Sequence, residues 1–129
     1  MKGFYTIVAI IPMAAFAASN SEAETKFSSS FKWCPQIYMS PQFTLGGIPK
    51  STAKLEFNMT DHNASYQHGG GSVAYHGQRV IACGAFEGWT PPSPPGGQVH
   101  TYEFDIKALD ASGKELGTSS STRECCQGM

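Results

Sequence analysis

Two stretches of strict two-residue alternation constrain this chain more than any other feature. In Leu55-Glu56-Phe57-Asn58-Met59-Thr60-Asp61 the apolar residues fall at 55, 57 and 59. From Thr101 to Leu109, the series Tyr102, Phe104, Ile106, Ala108 alternates with Thr101, Glu103, Asp105, Lys107. Successive side chains of a strand point to opposite faces, so each stretch reads as a strand with one buried face. Phe43 to Leu45, set between Ser40-Pro41 and Gly46-Gly47-Ile48-Pro49, is a short strand candidate, and Val73-Ala74-Tyr75 is another. Asp110-Ala111-Ser112-Gly113 reads as a turn, after which Lys114 to Gly117 returns as a hairpin partner. Residues 24–30 (ETKFSSS) read as a loose leader, with Phe31 to Cys34 beginning the fold. Past the N-terminal stretch no segment has an apolar period of 3.6. Gly and Pro together make 22 of the 129 residues, which spreads turns throughout. The expectation is an all-β (mostly β) chain, an antiparallel β-sandwich in a single domain.

The same parity singles out two polar residues. Asp61 shares the face of Leu55, Phe57 and Met59, and His100 shares the face of Tyr102, Phe104 and Ile106. A polar group on a buried face needs a partner, because burying it alone costs on the order of 2–7 kcal/mol. If the two strands run antiparallel, both residues lie at the same sheet edge. A carboxylate beside an imidazole then makes a polar spot at the mouth of an apolar cavity, the usual layout of a small-ligand site. The plainer reading is that Asp61 caps a turn and His100 bonds to backbone.

The N-terminus carries Lys2, an uncharged apolar run from Phe4 to Ala18, and small residues at cleavage spacing ending at Ala17 or Ala23. This is the layout of a signal peptide over residues 1–23, followed by one domain over 24–129. A retained anchor fits less well, since the run is short for a bilayer and Pro12 interrupts it. No transmembrane span remains after cleavage, and the expected address is periplasmic or secreted. The formal net charge is −1, from 9 Lys+Arg and 10 Asp+Glu, and no basic cluster exists. Nucleic acid is therefore not an expected partner. Export makes disulfides plausible. Cys34, Cys83, Cys125 and Cys126 allow three pairings, of which a bridge from Cys34 to Cys125 or Cys126 is favoured and Cys125–Cys126 is disfavoured. No C-x-x-C pair points to a metal, and no cofactor is expected.

Two loops complete the candidate site. His68 opens His68-Gly69-Gly70-Gly71, which reads either as an anion-binding nest of backbone N–H groups or as a flexible turn. Gly88 to Gly97 carries four prolines in the five positions 91–95. It reads as a stiff pocket wall, or as an exposed polyproline connection able to meet a proline-recognising domain.

Taken together, these segments resemble the phosphatidylethanolamine-binding proteins, also called Raf kinase inhibitor-like proteins, in a short bacterial exported branch. The resemblance rests on the strand Leu55 to Asp61, on His68 and its glycines, and on Pro94-Pro95-x4-His100-x-Tyr102 followed by Ala108-Leu109-Asp110 and a glycine turn. It is strongest over residues 40–117. It implies a β-sandwich with a small anion-binding pocket holding Asp61, His68, Gly69, Gly70, Pro94, Pro95, His100 and Tyr102. The implied partner is a phosphate-like or phosphoethanolamine-like head group. The sequence also departs from the family pattern. Asp61-His62-Asn63 lacks the family's middle proline and second acid, glycine rather than an aromatic follows His68, and Ser93 stands where the short branch often has cysteine. The chain also lacks the long C-terminal part of the animal proteins, so kinase inhibition is not carried over.

Three functions compete. A binding protein for a small anion or head group predicts weak binding that fades as imidazoles lose their protons. An enzyme fits poorly, and no catalytic residue is expected. His68-Gly69-Gly70-Gly71 has the look of an esterase oxyanion loop, but no Gly-x-Ser-x-Gly elbow accompanies it. A metal hydrolase using Asp61, His62, His68, His76 or His100 has no supporting ligand spacing. An inhibitor or interaction module acting on a protease or other protein would use the proline loop. Asn58-Met59-Thr60 and Asn63-Ala64-Ser65 match a glycosylation triplet, which the bacterial resemblance makes irrelevant.

Overall fold

The computed structural model describes residues 25–126, together with the isolated Gly3. The signal-peptide reading of residues 1–23 lies outside that range. Eight strands are formed: β1 (Thr25–Lys26), β2 (Ser28–Lys32), β3 (Gln42–Gly46), β4 (Lys54–Asp61), β5 (Tyr66–Ala74), β6 (Val80–Ile81), β7 (His100–Leu109) and β8 (Glu115–Cys125). They build two sheets, one ordered β1-β8-β7-β4-β5 and one ordered β2-β3-β6. Every pairing is antiparallel except the two-residue β1, which runs parallel to β8 and makes the larger sheet mixed at its edge.

The inner faces meet in an aromatic core. Phe43 of β3, fully buried, packs on Phe57 of β4 at 4.6 Å between ring centres and on Phe104 of β7 at 5.0 Å, edge to face. Phe31 of β2 reaches Phe104 at 5.1 Å. Each such ring removed from water contributes about 1.5–3 kcal/mol before entropy is counted. The alternation that marked β4 and β7 in the sequence is the alternation of burial: Leu55, Phe57, Met59, Tyr102, Phe104, Ile106 and Ala108 are each 3% exposed or less. After β7, Asp110 Oδ1 accepts the Ser112 and Lys114 amides (both 2.9 Å), and Gly113 takes φ +87° to close the turn.

Four expectations are corrected. Of the expected loose leader over residues 24–30, residues 25–30 hold β1 and most of β2, paired to β8 and β3 through backbone bonds that serine side chains do not oppose. The strand expected at Val73-Ala74-Tyr75 runs from Tyr66 to Ala74 instead, and the partner expected at Lys114 to Gly117 continues to Cys125. The cysteine pairing also differs. β2 and β6 both run antiparallel to β3, so they leave the small sheet at the same end. Cys34 follows β2 by two residues and Cys83 follows β6 by two, which brings their Cα atoms to 6.1 Å in a disulfide. With Cys34 bonded to Cys83, the favoured bridge from Cys34 to Cys125 or Cys126 is not formed, and the neighbouring Cys125 and Cys126 are the two cysteines that remain.

Candidate functional site

The central pairing of the large sheet sets the first half of the site. β4 runs antiparallel to β7 with Asp61 opposite Tyr102, so the end of one strand meets the beginning of the other. His100, 8% exposed, turns Nδ1–H onto Asp61 Oδ2 at 2.6 Å. Its Nε2 lies 3.0 Å from Gln98 Oε1. Asp61, 4% exposed, uses its other oxygen for a turn: Oδ1 accepts the Asn63 amide (2.9 Å) and the Ala64 amide (3.2 Å). The two readings of Asp61, turn cap and histidine partner, are therefore both realised, one on each oxygen. Burial works to raise the Asp61 pKa, but the His100 bond and the two amides outweigh it and hold the carboxyl below the usual carboxylate range.

The second half comes from an irregularity in β5. Met59 pairs with Gly69 and Thr60 with Gln67, which leaves His68 as an extra residue in a β-bulge. Gly69 supplies the left-handed backbone such a bulge needs, at φ +72°. The bulge delivers His68 to the buried face, 7% exposed, on the same side as Tyr66. Thr90 then clasps it: the Thr90 amide donates to the His68 carbonyl (2.8 Å), and His68 Nδ1–H donates to the Thr90 carbonyl (2.7 Å). The tautomer is thereby fixed, leaving Nε2 without a hydrogen-bond partner among the described residues. The loop carrying Thr90 is anchored upstream by buried Ser40, which accepts the Phe86 amide on Oγ (3.2 Å) and the Gly84 amide on its carbonyl (2.8 Å). Phe86 and Trp89 are buried beneath it.

Between these halves lies a cavity of ≈ 280 Å³ lined by Asp61, Ala64, Tyr66, His68, Thr90, Pro91, Ser93, Pro95 and His100. Tyr102 lies fully buried, its ring 5.5 Å from His68 and 6.3 Å from His100. Its hydroxyl lies near the Asp61 carboxylate and the Ser93 backbone but makes no hydrogen bond of good geometry among the described residues. Burial, and then the nearby Asp61 charge, push its pKa up to about 12, so the phenol stays a neutral donor.

Of the residues singled out by sequence, Asp61, His68, Pro95 and His100 meet at this cavity, with Tyr102 behind them. Pro94 is not among its lining residues. Gly69 and Gly70 form neither a nest nor a flexible turn, because both are paired in β5. A Cβ on Gly70 would fall 1.6 Å from the Phe57 carbonyl oxygen, so Gly70 serves close strand packing. Sequence reasoning missed Tyr66, whose ring stands edge-on to His68 at 4.8 Å and supplies an aromatic wall next to that histidine. Its position two residues before His68 was the available signal. Thr90, Pro91 and Ser93 belong to the proline loop expected as a pocket wall, whereas Ala64 was missed, since only tertiary contacts bring it in. His62 instead faces Glu103 at 3.4 Å, and His76 lies beyond β5. Among the described residues no group of three or more His, Cys, Asp or Glu is arranged to hold a metal ion.

The fold has counterparts among solved proteins. A phosphatidylethanolamine-binding protein (PEBP) homologue from Chlamydia trachomatis superposes with a TM-score of 0.58 over 80% of this chain and 99% of its own, at 16% identity. E. coli YbcL, described as a new member of the mammalian PEBP family, gives 0.56 over 78% of this chain and 98% of its own, at 13% identity. The fold is PEBP-like. No family model matches the sequence, and no curated protein matches it. At these identities the likeness speaks for the PEBP-like sandwich alone. No helix among the described residues is long and apolar enough to cross a membrane.

Proposed function

We propose that this chain is an exported member of the phosphatidylethanolamine-binding family's short bacterial branch. In this reading it acts by binding rather than catalysis, and its pocket takes a small anion or a phosphoethanolamine-like head group. The observation that carries the reading is the buried Asp61–His100 pair facing an open cavity with His68 Nε2 uncommitted. His68, when protonated, donates Nε2–H to an oxyanion, and Ser93 adds a hydroxyl at the wall. Asp61, holding His100 in place, also offers negative charge to a ligand ammonium. The cavity has no Lys or Arg in its lining, so affinity is modest and depends on imidazole protonation. The likeness to a phosphatidylethanolamine-binding protein homologue and to YbcL supports the ligand class, and the N-terminal pattern supports a periplasmic or secreted address after cleavage at Ala17 or Ala23.

The test is an NMR titration of the mature chain with phosphate and with phosphoethanolamine at pH 6, beside His100→Ala. Saturable shifts at Asp61, His68, His100 and the Pro91 to Pro95 loop, lost in the variant and weaker at pH 8.5, are expected. No shift with either compound sinks the head-group reading and turns attention to protein partners of the proline loop.

A further inference from the structure

A second cavity, of ≈ 390 Å³, lies at the other end of the sandwich, lined by Ile48, Pro49, Lys50, Thr52, Tyr75, His76 and Gly77. It sits where β4 begins, whereas Asp61 and His100 sit where β4 ends. Its walls are the β3–β4 and β5–β6 connections. The Tyr75 amide donates to the Ala53 carbonyl (2.9 Å), tying the two connections together, and the Thr52 amide donates to the Pro49 carbonyl (3.1 Å). Gln78 braces the second wall, its Oε1 accepting the His76 amide (2.6 Å) and its Nε2 donating to the Ala74 carbonyl (2.9 Å). These bonds hold the walls before any ligand arrives, which lowers the ordering cost of binding.

The lining has one chemical sign. Lys50 brings an ammonium and His76 an imidazole, both on exposed residues, and no Asp or Glu lines the cavity. Thr52, 8% exposed, carries a buried hydroxyl with no hydrogen-bond partner among the described residues. A buried polar group left unpaired is unfavourable, and a rotation of the Thr52 side chain that turns the hydroxyl into the cavity would pair it with a ligand oxygen. Ile48, Pro49 and the half-buried Tyr75 give the remaining wall an apolar, partly aromatic character. The volume falls in the range of about 300–1,000 Å³ common for small-molecule sites. We infer that this cavity is a second binding site, for a small oxyanion carrying an apolar or aromatic body, with Lys50 and His76 holding the anion and Thr52 donating to it. The inference does not depend on the proposed function of the Asp61–His100 pocket.

The full chain is titrated at pH 6 and constant ionic strength with inorganic phosphate and with phenyl phosphate, following backbone amides and using chloride as control. Saturable shifts at residues 48–52 and 75–77 are expected, stronger for phenyl phosphate. They persist in His100→Ala, so this result is separable from failure at the other pocket. Lys50→Ala/His76→Ala changes two exposed residues and is expected to weaken binding here about tenfold or more. Thr52→Val keeps the shape, removes the hydroxyl, and is expected to weaken phosphate binding several-fold with the remaining amides unmoved. Absence of saturable shifts at these residues, shifts that chloride reproduces, or shifts unaffected by the double variant would each overturn the site. Unchanged affinity in Thr52→Val would overturn the hydroxyl's part in it.

Discussion

Replacing Asp61 by Asn isolates the charge of the buried pair from its shape. The amide is isosteric, and its oxygen can still accept the Asn63 and Ala64 amides that Oδ1 holds now. What it cannot reproduce is the 2.6 Å charge-assisted bond from His100 Nδ1. A bond of that kind contributes about 1.5–3 kcal/mol, and the loss should lie in this range because the residue is 4% exposed but borders an open cavity. With a urea m-value of about 1 kcal/mol/M for a domain of this size, the unfolding midpoint falls by roughly 2 M at pH 7. The pH dependence fixes the cause. The folded Asp61 carboxyl titrates below its ordinary value of 3.8. Its contribution is thus fully present above that value and disappears as pH falls through the lower, folded pKa. The wild-type and Asp61→Asn midpoints should therefore differ at pH 7 and converge as pH falls below 3.8 and through the folded Asp61 pKa. Equal midpoints at pH 7, or a gap that survives unchanged in strong acid, would refute the electrostatic account.

Other outcomes follow from the same structure. Tyr102→Phe removes an unpartnered hydroxyl and should leave stability at pH 7 within about 1 kcal/mol of wild type or raise it. Because the folded phenol titrates near 12 against an ordinary 10, wild type should lose stability as pH rises from 10 toward 12, and the Phe variant should lack that alkaline limb in denaturant titrations. Gly70→Ala forces a Cβ against the Phe57 carbonyl and should cost about 3 kcal/mol in thermal or urea unfolding, a larger effect than an exposed-loop Gly→Ala control. Cys34→Ala/Cys83→Ala opens a loop spanning 49 residues and should cost about 4 kcal/mol by chain entropy. The same variant should broaden amide signals from Gly84 to Thr90, which native-state NMR would report.

The central strands and the Asp61–His100 pair were legible because β4 and β7 bury one face completely, and burial is what imposes alternation on sequence. β2, β5 and β8 were obscure for the opposite reason. Ser28-Ser29-Ser30, Gly69-Gly70-Gly71 and Thr118 to Thr122 pair through their backbones and place few large apolar groups in the core. Their strand character depends on neighbours that a linear reading does not display. The bulge at His68 belongs to the same class, since one extra residue against Met59 is visible only once the register is known. The Cys34–Cys83 bridge likewise follows from β2 and β6 leaving the small sheet together, and β6 is only two residues long.

The cavity beside Asp61 divides into parts of unequal freedom. Its charged pair belongs to the paired ends of β4 and β7, whose spacing the whole sheet dictates. Its outer wall, from Pro91 to Pro95, belongs to a connection fastened upstream at Thr90 and downstream at His100. Insertions, deletions and exchanges between those fastenings can reshape the opening while the acid–imidazole couple keeps its alignment. Relatives built on the same scaffold could thus diverge in what they admit through changes of a few loop residues, with the sheet conserving the chemistry underneath.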